Sequence, residues 1–200
     1  KVLEAFLLIL IQIMTEVIKF KDKLNKFSYK NENIDNLCKS DIEQVNSLIK
    51  KKMWSSIPLI REITNYIFSS GGKKLRPLLT IACSKMSDYG IKESENRHIG
   101  LAVAIEFIHT ATLMHDDVID ESKLRRGKLS PNEVWGNKIS VLVGDFLFSR
   151  AFQLMTKDGS SKILKILSDT SVVISEGEVL ELTNDSNPTI SEDIYFEVIN

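Results

Sequence analysis

The sequence predicts an all-α protein, a helical bundle whose functional site lies between helices. Two observations lead there. Apolar residues recur at three- and four-residue spacing through most of the chain after residue 40. The breaks carry proline and glycine, and no regular alternation bounded by hairpin turns appears.

Taken in order, residues 1–18 are strongly apolar, but the unbroken run Ala5–Ile11 is too short to span a membrane. The segment reads either as the hydrophobic part of a targeting presequence or as a first helix. The first case would place the protein in an organelle of mitochondrial or plastid kind. Phe20–Lys39 is rich in Lys and Asn and reads as a polar linker, which separates residues 1–40 from a folded part, 41–200. From Asp41, the positions Val45, Leu48, Ile49 and Met53 mark an amphipathic helix. Pro58 interrupts it or starts the next helix, through Ile60, Ile63 and Ile67. Ser69-Ser70-Gly71-Gly72 is a break.

Further helices are expected from after Pro77 to Met86 and over Ser94–Ile119. Leu124–Asn137, with Gly127, Pro131 and Gly136, should be mostly loop. Ile139–Met155 and Lys162–Leu182 are again helix-periodic. The chain starts at Lys1 and stops at Asn200 within another helical pattern, Ile194–Ile199, which reads as a piece of a longer protein.

Composition excludes several classes. Hydrophobic residues are 43% and charged residues 26%, an ordinary globular balance. The net charge of −1 gives no global attraction to nucleic acid or an anionic membrane. Cys38 and Cys83 match no zinc or redox spacing, and Cys83 sits in the apolar run Leu78–Cys83, where burial is expected.

The chemistry concentrates at Leu113–Gly127. If Asp116 to Asp120 is helical, these two carboxylates lie four residues apart and share a face, with Asp117 beside them. Three acids this close repel one another and resist ionisation without a compensating cation. Oxygen-only ligands suit Mg²⁺, which takes one or two carboxylates and leaves room for water and phosphate. Arg125 and Arg126 follow at once with planar forks for phosphate oxygens. The bland alternative is a solvated acidic and basic helix end.

A second anion-suited stretch is Gly71-Gly72-Lys73-Lys74-Leu75-Arg76-Pro77. Its glycines let a ligand approach the backbone ahead of a helix start. It is not the ATP-binding P-loop: Ile67 stands where the first glycine is needed and Lys74 where the hydroxyl is needed. Alone it would pass for a solvated turn. His109 lies seven residues before Asp116, on roughly the same side of the expected helix.

Gly71–Pro77, Glu106–Asp120 and Arg125-Arg126-Gly127 together resemble the trans-polyprenyl diphosphate synthases of the long-chain, octaprenyl or nonaprenyl type. So do Trp135–Lys138, Leu142–Phe148 and Glu176-Gly177-Glu178, and the match runs in order over roughly residues 41–200. The resemblance implies an orthogonal all-α bundle of the isoprenoid synthase type around a deep central cavity. It also implies a homodimer, with a heteromer as the other arrangement. The implied activity condenses isopentenyl diphosphate with an allylic diphosphate into a long all-trans chain such as a quinone tail.

By the same resemblance, Asp116, Asp117 and Asp120 are the catalytic acids that hold Mg²⁺, and Arg125 contacts the allylic diphosphate. Lys73, Arg76, His109 and Arg126 match positions that bind isopentenyl diphosphate. Product length is set in this family by bulk at the fourth and fifth residues before the first aspartate. Here these are Thr112 and Ala111, both small, which implies a long product, with Phe107 one turn away as a deeper stop. An apolar product of that kind would bring the enzyme to a membrane peripherally. The family also has a second aspartate-rich motif and a Lys-Thr pair downstream. These 200 residues end before either, so little or no turnover is expected of them alone.

Three other readings remain at this level. A terpene cyclase shares the acid motif but has no second substrate and lacks the Gly71–Pro77 and Arg125–Gly127 elements. A non-catalytic subunit of a heteromeric synthase can lose catalytic aspartates, and all three are intact here. Nucleic-acid binding by Lys123–Lys128 is opposed by the acids immediately upstream.

Overall fold

The computed structural model describes residues 34–87, 96–184 and 191–199, in which eight helices and one two-stranded ribbon follow one another. Helices α1 (Ile34–Lys52), α2 (Pro58–Ser69), α3 (Leu75–Met86) and α4 (Arg97–Ile119) precede strands β1 (Leu124–Arg125) and β2 (Lys128–Leu129). Then come α5 (Pro131–Trp135), α6 (Asn137–Asp158), α7 (Ser161–Asn184) and α8 (Glu192–Ile199). The all-α expectation holds. The apolar stretch 1–18 and residues 20–33 of the expected linker lie outside the described residues.

Residues Glu32–Ser160 form one compact unit and α7 and α8 belong to a second. In the first, α4 is the central helix. Ile99, Ala102, Val103, Ala104, Phe107, Ile108, Ala111 and Met114 are all buried, more than one stripe of the helix. A helix apolar over most of its circumference has to be surrounded. Helix α6 lies antiparallel beside it: His115 meets Val141 near one end and Arg97 meets Asp158 at the other. Val143, Leu147, Ala151 and Leu154 form the buried face of α6. By length and composition α6 could cross a membrane, but this face is packed inside the bundle.

Several boundaries differ from expectation for physical reasons. Helix α1 is seen from Ile34, so residues 34–39 are helix rather than linker. Cys38 is 1% exposed and extends the stripe of Val45, Ile49 and Met53 by one more heptad, while the polar residues around it face outward. Cys83, expected to be buried, is only half-buried. Helix α3 starts at Leu75 and carries Pro77 inside its first turn, where the missing N–H would have had no helical partner. Residues 94–95 lie outside the described part, and α4 is seen from Arg97.

The expected loop 124–137 is instead a tight hairpin followed by α5. Leu124 pairs with Leu129 and Arg125 with Lys128, around Arg126 and Gly127 at φ 52° and 77°. Two consecutive positive φ values are those of a type I′ turn, whose twist suits a two-residue hairpin. Tyr66 of α2 secures this hairpin. Its hydroxyl donates to the Leu129 carbonyl at 2.9 Å, and its ring meets Trp135 edge-on at 5.0 Å.

Candidate active site

Helix α4 delivers the acids. It ends at Ile119, and the Asp120 N–H still bonds the Asp116 carbonyl at 2.8 Å, so Asp116 and Asp120 sit on consecutive turns of one face. The negative end of the helix dipole lies under them, which adds to their mutual repulsion. Asp116 is half-buried, and burial first, then the charge of Asp120, raises its carboxyl pKa to about 6. That carboxyl lacks enough positive charge around it.

Asp117 points elsewhere. It is 1% exposed and receives two parallel hydrogen bonds from Arg125, Nε to Oδ2 at 2.6 Å and Nη2 to Oδ1 at 2.7 Å. Its carbonyl accepts from the Ser122 N–H at 2.9 Å and from Asn132 Nδ2 at 3.1 Å. Asn132 also bonds the Ser122 carbonyl at 3.1 Å, and Ser130 Oγ donates to the same atom. The hairpin is thereby fastened to the end of α4, and Arg125 is aimed inward.

Below this clamp lies a cleft of about 50 Å³, lined among others by Lys74, Glu106, His109, Asp117, Arg125 and Arg126. Arg126 comes from the turn of the hairpin and donates from Nη1 to the Gly71 carbonyl. Gly72 is required at this approach: at φ 154°, a Cβ there would lie 2.5 Å from Arg126 Nη1. Lys74 holds φ 46° and donates from Nζ to Asn46 Oδ1. Lys74, Glu121 and Arg126 are the non-glycine residues with positive φ among those described, and Lys74 and Arg126 line this cleft. Left-handed backbone at charged residues costs about 1 kcal/mol each and persists where the surroundings impose it.

The electrostatics of the cleft favour an anion. Glu106 faces Arg76, Lys74 and Arg126, yet burial still raises its carboxyl above the ordinary value. Burial likewise lowers Lys74 and Arg76, partly offset by Glu106. His109 is pushed down to about 3, by burial first and then by Arg76, Arg126 and Arg125. At neutral pH it is an uncharged imidazole that can donate one hydrogen bond and accept another.

The expected site residues therefore divide. His109, Arg125 and Arg126 come together at the cleft, and Arg76 acts on it electrostatically. Asp116 and Asp120 lie on the neighbouring face of the helix end, outside the cleft lining. Lys73 is exposed and outside the cleft lining, whereas Lys74, at φ 46°, is part of it. Asp117 is held by Arg125, and among the described residues no three acid, His or Cys side chains converge as a ready metal cage. Ala111 and Phe107 are fully buried, Phe107 edge-on to Phe68 at 5.8 Å, whereas Thr112 is half-buried and donates to the His109 carbonyl at 3.0 Å. Glu106, Asn132 and Tyr66 were not singled out from the sequence by role. Lys74 lay within the anion-suited Gly71–Pro77 stretch, and Glu106 had a signal as one acid in an otherwise apolar helix stretch.

A family model described as polyprenyl synthetase matches residues 57–200. The chain belongs to that family. The octaprenyl diphosphate synthase of Escherichia coli K12 is 46% identical over 168 residues, 84% of this chain and 51% of that protein. A decaprenyl diphosphate synthase structure from Rhodobacter capsulatus aligns with TM-score 0.77 and 48% identity over 82% of this chain and 50% of its own. A Caulobacter crescentus CB15 polyprenyl synthase structure, complexed with calcium and isoprenyl diphosphate, aligns at 0.76 and 43% identity over 85% and 52%. The chain spans about half the length of the curated relatives it matches. The family and the isoprenoid synthase fold expected from the motifs are those found.

Proposed function

We propose that the protein is a chain-elongating prenyltransferase that joins isopentenyl diphosphate to an allylic diphosphate and builds a long all-trans polyprenyl diphosphate. One observation carries the reading: an under-compensated acidic helix end stands beside a basic cleft reached from the same helix. The first suits a metal-bound diphosphate, the second a bare one. The Caulobacter relative with calcium and isoprenyl diphosphate, and the octaprenyl and decaprenyl synthases, support the same substrates and product class.

In the reaction a carbon–carbon bond forms at the allylic carbon, the carbon–oxygen bond to diphosphate breaks, and a proton leaves the extended chain. The residues present fit Mg²⁺: Asp116 and Asp120 offer hard oxygens on one face, and Asp116 stays protonated up to about pH 6 without a cation. Mg²⁺, when bound, supplies positive charge to the departing diphosphate. Arg126, Lys74 and Arg76 hold the isopentenyl diphosphate by charge. His109, neutral, donates a directed hydrogen bond. Arg125 orients Asp117 and faces the allylic diphosphate. Phe107, Ala111 and Met114 keep the neighbouring helix surface apolar, which protects a carbocation-like centre from water.

A homodimer belongs to this reading. Leu142, 62% exposed, and Phe152, 45% exposed, lie on the outward side of α6, with Trp54 and Ile57 also exposed. A surface of that kind on a folded unit is normally covered by a partner. The test is to supply the full-length protein with Mg²⁺, labelled isopentenyl diphosphate and a series of allylic primers, then size the extracted lipids. Long labelled chains are expected, and an Asp116→Ala variant that still folds should lose incorporation. Undiminished incorporation in that variant would overturn the assignment.

A further inference from the structure

A second cavity, of about 640 Å³, lies at the other end of α4, lined by residues from α1, α4 and α6. Arg97 opens α4, and Asp116 stands nineteen residues later, a helical rise of about 30 Å. None of its lining residues is shared with the cleft.

Its chemistry is distinct. Lys51 and Lys52 come from the last turn of α1 and Lys157 from the last turn of α6. Among the described residues these three lysines make no ion pair. The cavity's other charges cancel: Arg97 is bound bidentately to Asp158, Nε to Oδ1 at 2.7 Å and Nη2 to Oδ2 at 2.9 Å. A lysine at a helix end complements the dipole there. Here the ends of two helices bring three into one concave space, beside a third helix that starts there. Asn96, which precedes α4, makes no capping bond and turns its amide to Gln44 instead, at 3.4 Å. The first-turn N–H groups of α4 therefore have no side-chain acceptor from their own cap.

The walls are not purely polar. Leu48, half-buried, presents its side chain to the same cavity, and Ile99 and Leu154, each 4% exposed, close it from beneath. Uncompensated cations over an apolar wall match an amphiphile with a phosphate head and a hydrocarbon tail. We infer that this cavity binds a phosphate-bearing amphiphile, with its anion on Lys51, Lys52 and Lys157 and its first carbons against Leu48, Ile99 and Leu154. The ligand is either a membrane phospholipid or a soluble alkyl phosphate. Both present the same group, and the site is independent of the proposed catalysis.

The experiment compares the wild type with Lys51→Gln/Lys52→Gln/Lys157→Gln, and with a charge-matched control, Lys39→Gln/Lys50→Gln/Lys162→Gln, outside the cavity. Binding of octyl phosphate is measured by calorimetry with every protein carrying Arg126→Gln, so that the cleft does not contribute, and binding to vesicles of phosphatidylcholine with and without phosphatidylglycerol by flotation. The cavity variant should bind octyl phosphate at least tenfold more weakly, and the control should match the wild type. Leu48→Asn should weaken octyl phosphate but leave inorganic phosphate unchanged. Parallel loss of vesicle binding identifies a lipid headgroup as the ligand, and vesicle binding equal to wild type identifies a soluble amphiphile. No octyl phosphate binding by the wild type, or equal losses in cavity variant and control, overturns the inference. Circular dichroism of each variant checks that it is folded.

Discussion

Arg125 grips Asp117 in a bidentate pair at 2.6 and 2.7 Å, with the carboxylate 1% exposed and the guanidinium still partly in contact with solvent. The middle acid of the motif thus serves as an anchor for the hairpin that carries two arginines. An ion pair buried on one side gains from its geometry and loses heavily when one partner is removed. Asp117→Asn should destabilise the unit by about 2–4 kcal/mol, less than a fully buried pair because Arg125 is reached by water. Arg125→Lys, which keeps charge but not the fork, should cost about half as much. Urea denaturation of each variant measures both, and a neutral Asp117→Asn would contradict the anchoring role.

His115 lies against Gly144, so close that a side chain at Gly144 would overlap the imidazole. Its Nε2 is 3.2 Å from the Val141 carbonyl and 3.5 Å from Asp145 Oδ1. Gly144→Ala should destabilise by about 1–3 kcal/mol through overpacking at this helix contact. His115→Ala in the same chain should recover most of that loss. A double-mutant cycle that shows no coupling would place the strain elsewhere.

Two groups give opposite pH dependences. His109 has a folded pKa of about 3, below its ordinary 6.5, so its contribution is present above pH 6.5 and is lost as pH falls toward 3. Asp116 has a folded pKa of about 6, above its ordinary 3.8, so it favours the folded state as pH falls from 6 to 3.8. The slopes oppose each other between those values. Removing His109 with His109→Gln should therefore make stability rise more steeply on acidification from pH 6 to 4, read from urea midpoints. A wild-type slope in the variant would show that His109 is not held neutral.

A divalent cation at Asp116 and Asp120 should reverse the penalty on Asp116. Millimolar Mg²⁺ should raise the Tm at pH 7.5 and raise it much less at pH 5, where the carboxyl is protonated. Asp116→Asn and Asp120→Asn should each reduce the shift. An equal Tm shift in all three proteins would mean that Mg²⁺ acts elsewhere.

Ala111 is fully buried one turn from Phe107 on α4. On the proposed activity, Ala111→Phe should shorten the product ladder of the full-length protein by several isoprene units. Destabilisation of about 1–3 kcal/mol should accompany it. Products of wild-type length on reversed-phase chromatography would remove Ala111 from the control of chain length.

Periodicity revealed the long helices, because burying one face of a helix imposes its period on the sequence, whereas the five-residue α5 lay in an expected loop. The stripe of Val45, Ile49 and Met53 and the long apolar run of α4 were legible for that reason. The acid spacing of Asp116 and Asp120 was legible because it depends only on the local 3.6-residue turn. The linker expected through Lys39 concealed the start of α1, since its few apolar positions, Cys38 among them, were outnumbered by polar outward-facing ones.

The partnerships between distant segments were decided by the tertiary structure. Arg126 reaches Gly71 across fifty-five residues, and Glu106 meets Arg76 and Lys74 from another helix. That Asp117 meets arginine while Asp116 and Asp120 do not depends on where the hairpin folds back. Local spacing sets the face of a helix on which a side chain stands. Only packing sets what stands opposite, because that contact energy is paid between residues with no fixed separation along the chain.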